Sequence, residues 1–162
     1  MTIQRVQLEA ELTRLLQPQL FCDYCPNGLQ VQGKNEINKL VTGVTASAAL
    51  IESALDAGAD CLLVHHGYFW KGEDQTITGL KKTRVEKLLA SQLNLFAYHL
   101  PLDMHKEFGN NVELGRLLGF QFEAATGRPG DPEIVFIGKL AQPTTLEALS
   151  AQIDSSLQRA PL

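Results

Sequence analysis

Short apolar runs alternate with amphipathic segments between residues 39 and 118, and this alternation is the feature that most restricts the fold. Residues 39–45, 60–64 and 93–98 have the length and composition of buried strands. Between and after these runs, apolar residues recur with helical spacing and predict helices at residues 47–57, 82–91 and 110–118. Because a β-α-β-α-β-α order implies right-handed crossovers, we predict an α/β fold with a layered, largely parallel or mixed sheet flanked by helices.

Local signals place the ends of several elements. Apolar spacing predicts a helix over residues 3–16 that ends before Pro18, followed by a short strand at residues 29–31. Ser47 is a good N-cap for the next helix, and Gly58 stands where a left-handed C-terminal residue belongs. Asn110 is predicted to cap the helix that Gly119 ends, and that helix N-terminus would favour a nearby anionic ligand.

A change of composition near residue 127 indicates a domain boundary. Residues 124–133 contain two glycines and two prolines, and beyond them lie one predicted strand (134–140) and one amphipathic helix (144–157). One strand and one helix cannot form a core by themselves, so they either join the first sheet or begin something longer. We therefore predict a metal-site α/β domain at residues 1–126 and the beginning of a second, incomplete α/β domain at residues 127–162.

Composition excludes several classes of protein. The apolar fraction of 44% and the charged fraction of 20% are typical of a globular domain, and no stretch approaches the length of a membrane span or a signal peptide. A net charge of -4 argues against nucleic-acid binding driven by bulk electrostatics. Three cysteines form no even disulfide framework, so a cytoplasmic location is expected. Cys22 and Cys25 have the spacing of half a zinc site, but small buried thiols are the simpler interpretation.

All four histidines lie at two places in the chain. His65 and His66 end one predicted strand, while His99 and His105 flank Asp103 just after another. Ligands of open parallel sheets bind outside the carboxyl ends of the strands. Two such ends with imidazole and carboxylate groups indicate one convergent site, and a metal ion is its natural occupant.

The same residues indicate which ions would bind, and they also allow a simpler interpretation without a metal. Imidazole with carboxylate suits Zn, Mn, Fe or Ni better than Ca or Mg. Successive strand residues point to opposite faces, so His65 and His66 would reach two ions, or one would ligate while the other orients. The alternative is that these histidines only end strands and bond loop carbonyls. The aromatic run Tyr68-Phe69-Trp70 could stack a base or sugar, but packing of a loop or subunit interface is the preferred interpretation.

Five ordered segments resemble the NIF-three-like family, whose members are often labelled GTP cyclohydrolase I type 2 homologues. The segments are residues 23–33, 41–47, 64–72, 98–103 and 109–111. The resemblance covers residues 3–120 firmly and continues more weakly to the end.

This resemblance implies a dinuclear metal centre with His65, His66 and Asp103 as ligands. His99 would lie close to these ligands. His99 and Asn110 are candidates for residues that support the ligands or contact the substrate. The resemblance also implies two divalent ions per subunit, a ring-shaped homohexamer, and a fold in which a second α/β domain is inserted before the first is completed.

One part of the family pattern is absent from the sequence. The family supplies further ligands from a His-x-x-x-Glu on a C-terminal helix, and no histidine follows His105. Either the chain is a fragment or truncated form, or its metal site is incomplete.

Two functions are compatible with these residues. The first is a metal-dependent hydrolase acting on a nucleotide-like small molecule, for which no catalytic residue beyond the ligands is assigned. The alternative is a non-catalytic metal-binding oligomer that recruits partners. The fold alone does not select either.

Overall fold

The computed structural model describes residues 2–127 and 133–161. The chain forms two compact units, Met1–Pro101 and Leu102–Leu162, and the short helix α4 (Leu100–Met104) contains the division. The domain boundary predicted at residues 126 and 127 differs from this division. It stays a prediction, because residues 128–132 lie outside the described part of the chain.

A four-stranded mixed sheet forms the centre of the first unit. Its strands are β2 (Gly28–Val31), β4 (Leu40–Thr45), β5 (Cys61–His66) and β6 (Asn94–Ala97), in the spatial order β2-β6-β5-β4. The β4–β5 and β5–β6 pairs are parallel, and β2 joins β6 antiparallel. A small second pair is formed by β1 (Ile3–Gln4) and β3 (Glu36–Ile37). The predicted α/β class is therefore confirmed.

Three helices complete the first unit: α1 (Arg5–Leu16), α2 (Ala48–Asp56) and α3 (Gly79–Ala90). A 3-10 turn (Pro18–Leu20) follows α1. The predicted ends of α2 are confirmed, because the Ser47 hydroxyl accepts a hydrogen bond from the Leu50 N–H and Gly58 has a φ of +70°. The hydrophobic core joins α2 and α3 to the central strands through residues such as Ile51, Leu88, Leu62 and Leu95.

One prediction about burial in this sheet was wrong. The strand at residues 39–45 was expected to be buried, but β4 is half exposed and Val44 has 67% of its surface accessible. The reason is its position: β4 pairs with β5 alone among the described strands, so it lies at the edge of the sheet. An apolar sequence predicts a strand but does not show whether a neighbour covers it.

The second unit contains the remaining elements. They are α5 (Asn110–Leu117), β7 (Phe120–Thr126), β8 (Val135–Leu140) and α6 (Leu146–Leu157). The predicted strand at residues 134–140 is found as β8, which pairs antiparallel with β7 in a separate two-stranded sheet. Of the two alternatives left open for this strand, joining the first sheet is therefore excluded. Sequence reasoning missed β7, because its strand pattern runs into the Gly/Pro-rich stretch. Phe122, Val135 and Ile137 remain about half exposed on this two-stranded sheet. Among the described residues, no helix is long and apolar enough to cross a bilayer.

Candidate metal centre

Three imidazoles lie together at the carboxyl ends of β5 and β6. The His65 ring centroid is 4.4 Å from that of His66 and 5.0 Å from that of His99, and the His66–His99 distance is 5.8 Å. One ring nitrogen of each residue lies within 4.8 Å of the others. The predicted meeting of histidines from two neighbouring strand ends is therefore confirmed.

The strand end explains how two consecutive histidines share one place. The β5–β6 ladder pairs Cys61 to Val64 with β6 and stops there, so His65 and His66 lie beyond it. The β4–β5 ladder continues to the Thr45↔His66 pair, so β5 is paired on one side only where these two histidines lie. The two rings nevertheless lie with their centroids 4.4 Å apart. That they reach two ions, or that one ligates while the other orients, stays a prediction.

Each imidazole of the cluster is held through its Nδ1 atom. His65 Nδ1 lies 3.2 Å from the Tyr98 carbonyl oxygen, and His66 Nδ1 lies 3.2 Å from the Thr45 hydroxyl. Because a carbonyl oxygen can only accept, the neutral His65 ring carries its proton on Nδ1 and directs a lone pair from Nε2. A metal-ligating histidine is usually oriented in this way by a partner on its other nitrogen.

Asp23 orients the third imidazole and was not singled out as a functional residue by sequence reasoning. Its Oδ1 atom lies 2.8 Å from His99 Nδ1, and its side chain is only 2% exposed. Burial by itself raises the pKa of this carboxyl group, but hydrogen bonds from Asn27, His99 and the N–H groups of Leu100 and Tyr24 outweigh burial and lower the pKa below its ordinary value. Asp23 therefore stays ionised beside the His99 ring.

The turn that follows Asp23 also holds the backbone of the end of β6. The Asn27 amide oxygen accepts the His99 N–H at 2.7 Å, and Asp23 Oδ2 accepts the Leu100 N–H at 3.0 Å. Asn27 in turn donates to Asp23 Oδ2 at 2.9 Å. Two side chains four residues apart thus fix the main chain around His99. The signal for this role in the sequence is a turn segment with an Asp-x-x-x-Asn spacing.

A second group of ligand-type atoms among the described residues comprises Asp23, Cys25 and His99. Burial raises the pKa of the Cys25 thiol to about 11, and the neighbouring Asp23 charge contributes to this rise. A thiol binds metal as the thiolate, so Cys25 is a poor ligand here. Cys22 is exposed and Cys25 is buried, and neither forms a disulfide. The interpretation of the Cys-x-x-Cys spacing as small buried thiols is therefore confirmed for Cys25 and wrong for Cys22.

The other predicted site residues belong to the second unit. Asp103 lies on α4 and accepts a hydrogen bond from Asn110 Nδ2 at 2.9 Å. The prediction that Asn110 caps its helix was wrong: Gly109 is the N-cap, and Asn110 is the first helical residue. The His105 ring accepts the N–H groups of Glu107 and Phe108, a local turn contact. The participation of Asp103 in the metal centre stays a prediction.

The donor set fits a divalent transition metal. Two ligand nitrogens at about 2.0–2.1 Å from a tetrahedral Zn²⁺ lie about 3.4 Å apart. The three imidazole nitrogens lie within 4.8 Å of one another, a limit that includes this spacing. Neutral imidazoles with an anchored second nitrogen suit Zn, Mn, Fe or Ni, and the group offers too few oxygen ligands for Ca²⁺.

Comparison with known proteins identifies relatives of this chain. The family model described as Duf34/NIF3 (NGG1p interacting factor 3) matches residues 3–162. The chain is 52% identical over 158 residues to a GTP cyclohydrolase 1 type 2 homolog of Vibrio cholerae, which covers 97% of this chain and 62% of the relative. It is 45% identical over 161 residues to a protein of the same description from Escherichia coli K12, covering 99% of this chain and 63% of that relative.

Solved structures give the same result. The structure of the protein ybgI, described as of unknown function, superimposes with a TM-score of 0.93 at 44% identity, covering 99% of this chain and 63% of that one. A Thermus thermophilus protein matches with a TM-score of 0.83 at 37% identity, over 99% of this chain and 64% of that one. The chain thus spans somewhat less than two thirds of the length of these relatives. By its sequence and its fold, the chain belongs to the Duf34/NIF3 family.

Proposed function

We propose that this chain carries the metal-binding part of a divalent-metal-dependent hydrolase that acts on a nucleotide-like substrate. The observation that carries the proposal is the convergence of His65, His66 and His99 at two strand ends, each ring held through Nδ1. The shared description of the relatives, GTP cyclohydrolase 1 type 2 homolog, supports a nucleotide-like substrate.

In this proposal His65, His66 and Asp103 are the metal ligands, and the complete protein holds two ions. A divalent ion at this place supplies positive charge that favours deprotonation of water and polarises a carbonyl or phosphoryl oxygen. His65 and His66 bind through Nε2, because their Nδ1 atoms are engaged with Tyr98 and Thr45.

The Asp23–His99 pair has a separate role in the proposal. The Asp23 carboxylate holds a proton on His99 Nδ1, so that His99 Nε2 presents a lone pair beside the two ligands. His99 then binds the ion or accepts a hydrogen bond from a molecule next to it. A ring-shaped homohexamer in the cytoplasm remains part of the proposal for the complete protein.

Metal content tests the ligand assignment. The wild type, His65→Ala, Asp103→Ala and the control His105→Ala are each loaded with Zn²⁺ or Mn²⁺, desalted and measured by elemental analysis. We expect retained metal in the wild type and in His105→Ala, since His105 makes a local turn contact, and loss of metal in the other two variants. Equal metal content in all four proteins would refute the assignment.

Turnover tests the hydrolase. The metal-loaded chain is assayed against a panel of nucleotides and phosphoesters, with metal occupancy as the variable. Product formation that rises with occupancy and disappears in His65→Ala supports the proposal. Stoichiometric metal binding without turnover of any panel member favours the non-catalytic, recruiting function instead.

A further inference from the structure

The single tryptophan of the chain, Trp70, lies beside the histidine cluster. The Trp70 ring centroid is 4.9 Å from that of His99 in an edge-on arrangement with an interplanar angle of 82°. Its distance to the His66 ring is 5.9 Å at an angle of 59°. Trp70 therefore contacts one imidazole from each of the two strand ends, and it is only partly exposed.

Both the side chain and the backbone of Trp70 are fixed. The indole Nε1 donates to the Gly67 carbonyl oxygen at 3.1 Å, which sets the ring orientation. The Trp70 N–H donates to Glu73 Oε2 at 2.9 Å, and the Glu73 N–H donates back to the Trp70 carbonyl oxygen at 2.9 Å. Glu73 is itself paired with Lys81 at 3.3 Å. An indole held at this many points presents a rigid surface to the two imidazoles.

The loop that carries Trp70, residues 67–73, contains a strained residue. Phe69 has a φ of +65°, a conformation that bulky side chains rarely adopt. Such a conformation persists only where the surroundings determine it, and strain of this kind concentrates at functional sites. Here the loop is also anchored just beyond Trp70, since the Lys71 N–H donates to the Tyr24 carbonyl oxygen at 2.6 Å.

A clamp from β2 determines the entry to the same loop. Gln30 accepts the Tyr68 N–H at 2.7 Å and donates to the Tyr68 carbonyl oxygen at 3.1 Å. At Gly67 a Cβ atom would lie 2.1 Å from Gln30 Oε1, so only glycine allows this approach. The buried Tyr68 hydroxyl donates to the Ala46 carbonyl oxygen at 2.6 Å. The clamp and the strained residue together direct Trp70 toward the histidines.

We propose that Trp70 is a positioning residue of the metal centre, which restricts the ring planes of His66 and His99 so that both imidazoles face the ion. This inference rests on the proposed function. It differs from simple loop packing, the role that the aromatic run suggested from sequence, because the contacts of Trp70 are with the candidate ligand cluster. Tyr68 and Phe69 pack in the hydrophobic core and do fulfil the packing role.

Zinc affinity of matched variants tests the inference. Trp70→Ala, Trp70→Leu, Trp70→Phe and the control Tyr24→Ala are compared with the wild type by competition with a chromophoric chelator. Tyr24 is a neighbouring aromatic residue whose side chain is largely exposed, at 62%. We expect about a tenfold loss of affinity in Trp70→Ala and Trp70→Leu, the range found when an orienting partner is removed. Trp70→Phe keeps an aromatic edge at His99 and should stay close to wild type, as should Tyr24→Ala.

The absorption spectrum of the Co²⁺-loaded protein is a second measurement, and it does not depend on the stability of the fold. Its visible bands should change in Trp70→Leu and be restored in Trp70→Phe, because they report ligand orientation. If Trp70→Ala does not fold by circular dichroism, Trp70→Leu, which keeps apolar volume, decides the affinity comparison. Trp70→Leu with the affinity and spectrum of Tyr24→Ala would overturn the inference.

Failure of the proposed function is distinguishable from failure of this inference. A wild type that binds neither Zn²⁺ nor Co²⁺ refutes the metal centre. The positioning of the two rings that Trp70 contacts is then judged in the metal-free protein by the nuclear Overhauser effect between the His66 and His99 ring protons. The centroids of these rings are 5.8 Å apart. Loss of this signal in Trp70→Leu supports positioning, and its persistence overturns it.

Discussion

Asp60 fixes the start of the central strand β5, and replacing its carboxylate should measurably destabilise the first unit. The side chain is nearly buried, with 6% of the residue exposed. Its Oδ2 atom accepts the N–H groups of Asn38 at 2.7 Å and Lys39 at 3.0 Å, while Oδ1 pairs with Lys34 Nζ at 2.5 Å. One carboxylate thus connects β5 to the segment that leads into β4.

The expected loss in Asp60→Asn follows from these three contacts. The amide oxygen can still accept the two backbone N–H groups. Because it is a neutral acceptor, each of these hydrogen bonds stabilises the fold by about 1 kcal/mol less. The amide nitrogen then faces the Lys34 ammonium and loses the ion pair, which contributes less than about 1 kcal/mol because Lys34 is half exposed. We expect the free energy of unfolding of the first unit to fall by about 2 kcal/mol in total, which corresponds to a fall in its Tm of about 8–16 °C.

The effect should depend on pH in a defined direction. Burial by itself raises the pKa of Asp60, but hydrogen bonds from Lys34 and from the Asn38 and Lys39 N–H groups outweigh burial and lower the pKa below the ordinary 3.8. A carboxyl group with a lowered folded-state pKa stabilises the fold above its unfolded-state pKa. This stabilisation is lost as the pH falls through the folded-state pKa. The difference between wild type and Asp60→Asn should therefore be constant from pH 7 to about pH 5 and shrink below it.

Urea unfolding followed by fluorescence measures this difference, because the single tryptophan, Trp70, lies in the first unit. Asp56→Asn is the matched control, since Asp56 is exposed at the end of α2 and should change stability by less than about 0.5 kcal/mol. Equal stability of Asp60→Asn and Asp56→Asn at pH 7 would refute the assigned role. A difference that grows toward pH 3 would refute the pKa argument.

Three further predictions concern the same unit. Asn94→Ala should lower the free energy of unfolding, measured in urea, by about 2–3 kcal/mol. The reason is that the fully buried Asn94 amide accepts the Gly33 N–H and donates to the carbonyl oxygens of Lys34 and Asp60. Wild-type stability of this variant would contradict the prediction. Leu88→Ala should lower the free energy of unfolding by about 2–5 kcal/mol, because it opens a cavity beneath α3. Leu80 lies on the same helix and is 75% exposed, so Leu80→Ala should change stability little. Equal losses in the two variants would show that the core is misplaced. Gly67→Ala should displace the Gln30 clamp and lower Tm, and an unchanged Tm would show that the loop tolerates a Cβ.

The fold class and the paired strand ends were accessible from sequence because they depend on local patterns. Apolar periodicity predicted the central strands and helices, and the N-cap Ser47 and the left-handed Gly58 marked the ends of α2. The position of β4 at the sheet edge was not accessible, since strand order is set by contacts between distant segments. β7 was missed because its strand pattern runs into the Gly/Pro-rich stretch, and its pairing with β8 is likewise a contact that no local pattern shows.

The histidine cluster shows the same division between local and distant effects. The amino-acid sequence by itself determined that imidazoles follow two successive strands of a β-α-β pattern, because the carboxyl ends of parallel strands lie at the same edge of a sheet. Only the tertiary structure decided that His65 and His66 turn toward each other, that Asp23 orients His99, and that Trp70 lies against the cluster. These facts depend on where a strand ladder stops and on hydrogen bonds between residues far apart in the chain. Neither is encoded in a local residue pattern.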